Sequence, residues 1–404
     1  MAIQEEATKS GALVCDRCFR LIGNIEAQLA NHMYASAMSS PTRDTDVRLQ
    51  KQHPQRLLEE QLPLSEKYPM PPITQCPNTC GSLYCSQACA DEAWKDHHCL
   101  LCPQGGPLPV DPQKSTHGAP SRYGDGAFDA FYEHAHNTNE IFKLAARLIA
   151  CVLLKTLTYL EECSTPLREA SEATRWSALL QAWKPFQMGQ KGLWWECIAL
   201  PDDVPIEEEE LFRSEVEEMA IDSLTLFKSG ASKRFPDLCE AFPVIFSPRL
   251  WGSVIGMFEL NNLALVVSSP VPAWAQEVLE SNLPADALAR IHGCKYVEAA
   301  GGVAGIVENE DDWLCLGNAF YSLQSCINHS CVPNAHAFKR EHDDDGAAVI
   351  LALRHIDAGE EITICYVDTN ASLEERTRAL NDYGFSCDCE RCEAERLAKE
   401  VSGL

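Results

Sequence analysis

Cysteine and histidine residues recur in closely spaced pairs near the N-terminus of this sequence. "CDRC" occupies 15–18, "CPNTC" occupies 76–80 and "YCSQAC" occupies 84–89, and His98 and Cys102 follow. Zinc takes four thiolate or imidazole ligands in a tetrahedron, and a short loop between two cysteines lets both bind the same ion. Scattered buried cysteines rarely give spaced pairs in this order, so the ligands predict two zinc ions.

A second group of thiolates lies at the C-terminus. The segment "CDCERC" at 387–392 supplies three of them, which leaves a tetrahedral zinc one ligand short. Cys331, in the irregular stretch "INHSCVPNA" at 327–335, offers the fourth ligand. A shared ion would fold the C-terminal tail over this Asn-His segment. Disulfides are not expected, because the chain shows no secretory signal and the cytosol and nucleus keep thiols reduced.

Short strands flank the Asn-His segment and must position it. The aliphatic run "AAVILALRHI" at 347–356 predicts one strand, and "ITICYVD" at 362–368, which contains Tyr366, predicts another after a turn. The segment "SLEERTRALNDYG" at 372–384 predicts a short helix before the cysteines of the tail.

The motifs in this order carry a family resemblance. N-H-S-C-x-P-N, then G-E-E-I-x-x-x-Y, then Y-x-F-x-C-x-C-x-x-C resembles the SET domain of protein-lysine methyltransferases and its post-SET zinc loop. With the upstream cysteines, which resemble a MYND finger, the pattern is similar to the SET and MYND domain methyltransferase family, particularly its fifth member and the plant trithorax-related counterparts. The resemblance covers 76–102 and 313–392. It implies an α+β fold: a β-rich split SET domain with a MYND zinc finger, a helical insertion and a post-SET zinc loop.

The resemblance also implies how the metal ligands pair. In a MYND finger the first and third ligand pairs share one zinc, and the second and fourth share the other. His97 and Cys99 are neighbours of the assigned ligands, but only His98 keeps the family's gap to the last cysteine. With the post-SET site, three structural zinc ions are expected. Their implied ligands are Cys15, Cys18, Cys85 and Cys89; Cys76, Cys80, His98 and Cys102; and Cys331, Cys387, Cys389 and Cys392.

A SET enzyme moves a methyl group from S-adenosylmethionine to a lysine amine, chiefly by aligning the two in a narrow channel. Tyr366 matches the tyrosine whose hydroxyl lies beside the transferred methyl. Plainer interpretations are a core histidine for His329, a half-buried strand tyrosine for Tyr366 and a cap or turn for Asn261. The positions that match the family's cofactor contacts are Asn328, His329, Phe385, Tyr383 and Asn261.

One part of the family pattern is not found. The family carries a G-x-G turn and strands before the finger, where the backbone approaches the cofactor as only glycine allows. The fourteen residues before Cys15 contain no such turn, and the glycines at 123–126 and 191–195 are in the wrong order. A shortened SET domain is therefore expected, with an unpaired sheet edge and a cofactor pocket that lacks one wall.

Composition narrows the partners. The formal net charge of −26 disfavours nucleic-acid binding and suits a lysine-rich substrate. The acidic run at 207–210 lies at the start of a helical pattern, where negative side chains are favoured by the helix dipole. A helix start therefore explains the run better than a binding site for histones. The apolar segment at 141–154 is too short and too charged to span a bilayer, and its spacing predicts a core helix.

The predicted organisation and function follow. The expected segments are 1–14, a short N-terminal segment; 15–102, the finger with an insertion at 19–75; 103–126, a Pro/Gly-rich linker; 127–250, the helical insertion; 251–368, the rest of the SET domain; and 369–404, the post-SET region. The resemblance implies an enzyme acting on histone tails or other lysine-containing proteins, in the nucleus, with the cytoplasm left open. The alternative is an inactive adaptor whose MYND finger binds peptide partners in transcription regulation.

Overall fold

The structure, a computed structural model, describes residues 2–6, 12–38, 61–105, 126–189, 192–201, 203–338 and 346–402. Over these residues the predicted α+β fold is confirmed. Most of the 103–126 linker, and residues 39–60 of the finger insertion, lie outside the described residues. None of the described helices is long and apolar enough to cross a bilayer.

The strands are short and form one three-stranded sheet and three two-stranded pairs. In the described residues they are β1 (Ala2–Glu6), β2 (Thr74–Gln75), β3 (Leu83–Tyr84), β4 (Asn262–Ser268), β5 (Leu314–Tyr321), β6 (Asn328–His329), β7 (Ala335–Phe338), β8 (Val349–Ala352) and β9 (Thr363–Ile364). Strand β5 lies in the middle of the larger sheet, antiparallel to β1 and β4. The expectation of an unpaired edge is therefore wrong at β5. The run "AIQEE" has no proline or glycine to interrupt the ladder, and its backbone pairs with 317–321.

Alternating burial fixes the register of β4 on β5. Leu265 and Val267 are buried, whereas Val266 between them is exposed. Successive strand residues point to opposite faces, so this alternation assigns one face to the core. That face packs against Val14 and Phe19 of the finger, which joins the finger to the sheet.

The helices occupy most of the remaining described residues. They are α1 (Ile25–Met38), α2 (Gln87–Ala93), α3 (Cys99–Leu101), α4 (Asp129–Asn137), α5 (Ile141–Glu162), α6 (Glu172–Trp183), α7 (Trp194–Cys197), α8 (Glu209–Arg234), α9 (Pro236–Ala241), α10 (Pro248–Asn261), α11 (Val271–Glu280), α12 (Ala285–His292), α13 (Lys295–Ala299), α14 (Gly302–Glu308), α15 (Leu373–Asn381) and α16 (Glu390–Ser402).

The main hydrophobic core is helical and centred on α5. This helix contains the predicted core segment and is buried on most of its surface, because apolar residues recur all round it. The rings of Phe131, Phe227 and Trp251 from α4, α8 and α10 lie with centroids 5.3–6.4 Å apart. The acidic run falls at the start of α8, whose last turn carries Lys233 and Arg234, so charges complement the helix dipole at both ends.

A second core was not predicted. Helix α1, from the finger insertion, packs with α11–α14, which are inserted between β4 and β5. Trp274 and Trp313 are fully buried there, and the indole N–H of Trp274 donates to the carbonyl of Pro63 at 3.0 Å. Helix α1 is therefore packed against the segment that connects β4 to β5.

The finger is fixed to the main core by two arginines. Arg147 of α5 donates to the carbonyl oxygen of Asp16 at 3.1 Å. Arg234 of α8 lies over the ring of Phe128 and donates to the carbonyls of Leu100 and Cys102. Burial raises the pKa of Asp16, and the positive charge of Arg147 opposes that rise. These contacts join the described part of the finger to the helical core.

The predicted strands near the C-terminus are confirmed but shorter than expected. β6 pairs in parallel with β9, and β7 pairs antiparallel with β8. The predicted helix is α15, where Ser372 and Glu375 form a reciprocal capping box with each other's backbone N–H groups. These elements bring the Asn-His segment, Tyr366 and the tail cysteines to one place.

Candidate active site and metal clusters

The first sulfur cluster joins the two ends of the finger. Its members are Cys15, Cys18, Cys85 and Cys89, and their sulfurs all lie within 4.8 Å of one another. Ser86 caps α2 by accepting the N–H of Cys89 at 3.1 Å, which turns Cys89 towards Cys85. The sulfurs of Cys85 and Cys89 lie 3.4 Å apart. Zn–S bonds of about 2.3 Å place tetrahedral sulfurs about 3.8 Å apart, so the four ligands fit one zinc ion.

The second cluster uses a histidine as its fourth ligand. Its ligand atoms also lie within 4.8 Å of one another, and they belong to Cys76, Cys80, His98 and Cys102. His98, rather than His97, faces the sulfurs: its Nε2 lies 3.3 Å from Cys76 and from Cys80. Cys99 packs in the helical core instead, where burial raises its pKa to about 12. The donor set again fits zinc.

The third cluster ties the centre of the chain to its tail. Its four sulfurs, again within 4.8 Å of one another, belong to Cys331, Cys387, Cys389 and Cys392. Burial raises the pKa of the Cys389 thiol, but hydrogen bonds from the backbone of Cys392 and from the Cys387 side chain outweigh it and lower the pKa to about 6. A thiolate in a crowded set of sulfurs suits a cation, and this all-thiolate set fits zinc.

A buried arginine, which sequence reasoning missed, lies against the third cluster. Arg376 is 1% exposed, and its guanidinium donates to the sulfur of Cys392 at 3.6 Å and to the Glu395 carboxylate at 2.6 Å. Burial alone would lower its pKa, but these hydrogen bonds raise it overall. The arginine therefore supplies positive charge to a thiolate-rich site. Its sequence signal is weak, because α15 carries Arg376 and the exposed Arg378 two residues apart.

Tyr366 lies directly beside the Asn-His segment. The parallel pairing of β6 and β9 aligns His329 with Ile364, two residues before Tyr366. The Tyr366 backbone N–H donates to Nδ1 of His329 at 3.0 Å, and its hydroxyl donates to the carbonyl of Ile327 at 2.5 Å. Burial raises the pKa of Tyr366, with smaller contributions from Tyr383 and Cys326, so the hydroxyl keeps its proton at neutral pH. Burial, and then the charge of Arg376, lowers the pKa of His329.

Aromatic rings surround Tyr366. The ring centroid of Tyr383 lies 5.1 Å from that of Tyr366, and Phe385 lies 6.3 Å from Tyr366 and 6.0 Å from His329. Phe385 is 37% exposed, whereas Tyr383 is half-buried. The structure thus brings together Tyr366, His329, Tyr383 and Phe385, with one exposed ring available to stack on a ligand.

The two asparagines of the segment at 327–335 have different surroundings. Asn328 is exposed, and its amide donates to the Glu361 carboxylate at 2.6 Å. Asn334, to which sequence reasoning gave no role, is 2% exposed. It donates to the Glu361 carbonyl at 2.8 Å and accepts the N–H of Thr363 at 2.9 Å. Asn334 therefore holds the turn before β9; its only signal was its place in the N-H-S-C-x-P-N motif.

Asn261 ends helix α10. Its amide donates to the carbonyl oxygens of Gly189 at 2.9 Å and Met257 at 2.8 Å. These contacts fasten a neighbouring turn to the helix end, as the plainer interpretation of a capping residue expects. In the described part of the chain, the side-chain hydrogen bonds of Asn261 go to these two carbonyls and not to Tyr366, Tyr383 or His329.

A cavity of about 370 Å³ adjoins Tyr383. Its wall includes Glu196, Cys197, Arg213, Leu260, Asp382 and Tyr383. Arg213 pairs with Glu209 at 2.8 Å, so the lining keeps a negative balance through Glu196 and Asp382. Gly256 of α10 lies against Gly192, which also lines the cavity. A Cβ at Gly256 would lie 2.5 Å from the Gly192 carbonyl oxygen, so only glycine lets this part of the cavity wall come so close to α10.

A family model and several known proteins are similar to this chain. A family model described as "SET domain" matches residues 120–367. The histone-lysine N-methyltransferase ATXR2 of Arabidopsis thaliana is 38% identical, over 97% of this chain and 83% of the relative. The protein-lysine N-trimethyltransferase SMYD5 of Gallus gallus is 26% identical, over 81% of this chain and 67% of the relative. The histone-lysine N-methyltransferase SMYD3 of Mus musculus is 43% identical, over 20% of this chain and 18% of the relative.

Proposed function

This chain belongs to the SET domain family and is a protein-lysine methyltransferase, and we propose that its active site is the aromatic cluster around Tyr366. The SET domain model covers most of the chain, and the similarity to ATXR2 extends along nearly all of it. S-adenosylmethionine, when bound, supplies the methyl group. The family comparisons support the methyltransferase, and no observation on the described residues favours an inactive adaptor.

The observation that carries the proposal is the position of the Tyr366 hydroxyl. The hydroxyl is oriented by the Ile327 carbonyl and is protonated at neutral pH, and the tyrosine ring that carries it lies beside the rings of Tyr383 and Phe385. A fixed hydroxyl and a ring of aromatic faces suit the alignment of a lysine amine with a cationic donor, since aromatic faces attract cations. We assign Tyr366 the positioning of the reacting groups and Phe385 a stacking contact with the adenine.

Three structural zinc ions complete the proposal. Each cluster offers four protein ligands, so no coordination position is left open for water, and the ions would act on the fold rather than on the reaction. The third ion would hold the tail cysteines, and with them Phe385, against the Asn-His segment. The remaining proposed cofactor contacts are Asn328, the His329 segment, Tyr383 and Asn261.

The substrate class follows from charge. We propose that histone tails or other lysine-containing proteins reach Tyr366 past the cavity beside Tyr383. Its acidic lining, Glu196 and Asp382, would favour basic side chains next to the target lysine. The net charge of −26 would steer such substrates from a distance. A nuclear location and a chromatin role are further parts of this proposal, supported by the histone-lysine methyltransferase names of two relatives. Peptide partners of the finger are proposed only from its resemblance to a MYND finger.

Labelled-methyl transfer from S-adenosylmethionine to core histones tests the function. We expect transfer by the unaltered chain and a loss of about 100-fold in Tyr366→Phe, because the hydroxyl that aligns the reactants is gone. Tyr68→Phe is the matched control: its hydroxyl bonds Ala273 and Glu277 in the second core, so transfer should persist. Undiminished transfer by Tyr366→Phe would remove the catalytic assignment.

A further inference from the structure

Both ring nitrogens of His329 bond within the protein, and we propose that this imidazole is a positioning residue that links the third metal cluster to Tyr366. The inference rests on the proposed function for its consequence in catalysis, but not for its geometry. It makes the expected contact between His329 and the cofactor more specific. On this account, only the backbone of His329 remains for that contact.

The hydrogen bonds determine which nitrogen carries the proton. A backbone N–H can only donate, so Nδ1 of His329 must accept from Tyr366 across their 3.0 Å contact. A neutral imidazole has one N–H, which must then be on Nε2. Nε2 lies 3.3 Å from the sulfur of Cys331, within range of an N–H···S hydrogen bond. The ring therefore accepts at one end and donates at the other.

The receiving sulfur is in a thiolate-rich environment. Four thiolates around one Zn²⁺ leave a net charge of about −2, which N–H donors around the sulfurs stabilise. Cys331 is 3% exposed, so water does not fill this role, and His329 provides a donor. Arg376 provides a second donor to Cys392. The proton on Nε2 is thus held by the metal cluster.

The chain of contacts ends at the active-site tyrosine. Its N–H is anchored by Nδ1 of His329, and its hydroxyl is anchored by Ile327, two residues before that histidine. Tyr366 is therefore held at both its backbone and its hydroxyl by one short segment, and that segment is held by the sulfur of Cys331. Metal loading of the third cluster should set the position of Tyr366 without any contact between metal and substrate.

Nitrogen NMR of zinc-loaded protein with labelled histidine and tyrosine tests the tautomer directly. We expect a coupling across the N–H···N bond from the Tyr366 amide to Nδ1 of His329, with the imidazole proton on Nε2. A proton on Nδ1, or no such coupling, would overturn the inference. This measurement needs neither cofactor nor substrate, so its outcome is separate from whether methyl transfer occurs, and it requires no variant that must fold.

Two variants separate the ends of the ring. In His329→Asn the amide oxygen replaces Nδ1, so Tyr366 should keep its amide protection while a chelator removes the third zinc about ten-fold faster. In His329→Gln the amide N–H replaces Nε2–H, so zinc should be retained while the Tyr366 amide exchanges faster. His355→Gln alters an exposed histidine paired with Asp357 and should change neither readout. Equal effects of the two His329 variants on both readouts would contradict a two-ended role.

Discussion

The hydroxyl of Tyr366 donates a 2.5 Å hydrogen bond to the carbonyl of Ile327, the residue that precedes the Asn-His pair. This contact crosses between the ends of two paired strands, β6 and β9. A proposed catalytic group is therefore also a structural group, since the hydroxyl of Tyr366 satisfies a backbone carbonyl. Changes at this position should affect stability as well as transfer.

Tyr366→Phe should destabilise the fold modestly. The Ile327 carbonyl loses its donor in a half-buried site, which costs about 1 kcal/mol. Urea unfolding of both proteins measures this difference. A variant as stable as the unaltered chain would mean that the carbonyl finds another donor. A loss of about 1 kcal/mol in the free energy of unfolding would leave most of the variant folded. Unfolding therefore cannot account for the roughly 100-fold loss of methyl transfer expected for the same variant.

Metal analysis should return three zinc ions per chain. Each of the three clusters brings four ligand atoms within 4.8 Å. Cys331→Ser should lower the content to two, because it removes one ligand of the third cluster. Cys163→Ser changes an exposed cysteine outside the clusters and should leave three. A content near one zinc in the unaltered protein would break the proposed ligand sets.

Arg376→Gln should be strongly destabilising. Its guanidinium is 1% exposed and donates to a buried cluster sulfur and to Glu395. Glu395 keeps its pair with Arg391, but the buried sulfur cluster loses a charged donor, at a cost of about 3 kcal/mol. Arg378→Gln, two residues away on the exposed side of α15, should change stability by less than about 0.5 kcal/mol. Denaturant unfolding of the two variants side by side checks this, and equal effects would contradict the role given to Arg376.

His32 should make stability depend on pH. It stacks on Trp313 at 4.1 Å, and its Nδ1 is buried without a partner. Burial lowers its pKa, although Asp312 partly opposes this. The unfolded chain therefore binds more protons, so this contribution is present above the unfolded pKa of about 6.5 and is lost as pH falls towards the lower folded value.

Comparison with His32→Phe isolates that effect. Phenylalanine keeps the stacking on Trp313 but does not titrate. From about pH 7.5 to about pH 5.5, urea unfolding should show the unaltered chain losing stability relative to His32→Phe. Parallel curves for the unaltered chain and His32→Phe would show that His32 is not responsible.

The ligand sets were predictable because each depends on short sequence spacing. Paired cysteines one turn apart can reach the same ion, and the resemblance to a MYND finger and a post-SET loop implied which distant pairs meet. The structure brings each predicted set together, including Cys331 with the tail. The core helix at 141–162 was predictable for a similar reason, since local periodicity reports burial.

Contacts between residues that lie far apart in the sequence and belong to no recognisable motif were not predictable. Nothing in the run "AIQEE" names β5 as its partner, because strand pairing depends on the neighbouring sheet edge rather than on propensity. Helix α1 lies more than 200 residues before α11–α14, and their shared core depends on the fold as a whole. Arg376 and Asn334 act through buried hydrogen bonds, and neither the residue type nor, for Asn334, its place in a motif indicates which partners it bonds.

Calorimetric titration with S-adenosylmethionine tests the central claim most directly, that a sulfur-bound tail closes over a methyl-donor site beside Tyr366. The unaltered chain should bind one equivalent, Cys163→Ser should match it, and Cys331→Ser should bind at least about ten-fold more weakly, because the loss of the third ion releases Phe385. Binding by Cys331→Ser as tight as that of the unaltered chain, or no heat from the unaltered chain, would contradict the claim.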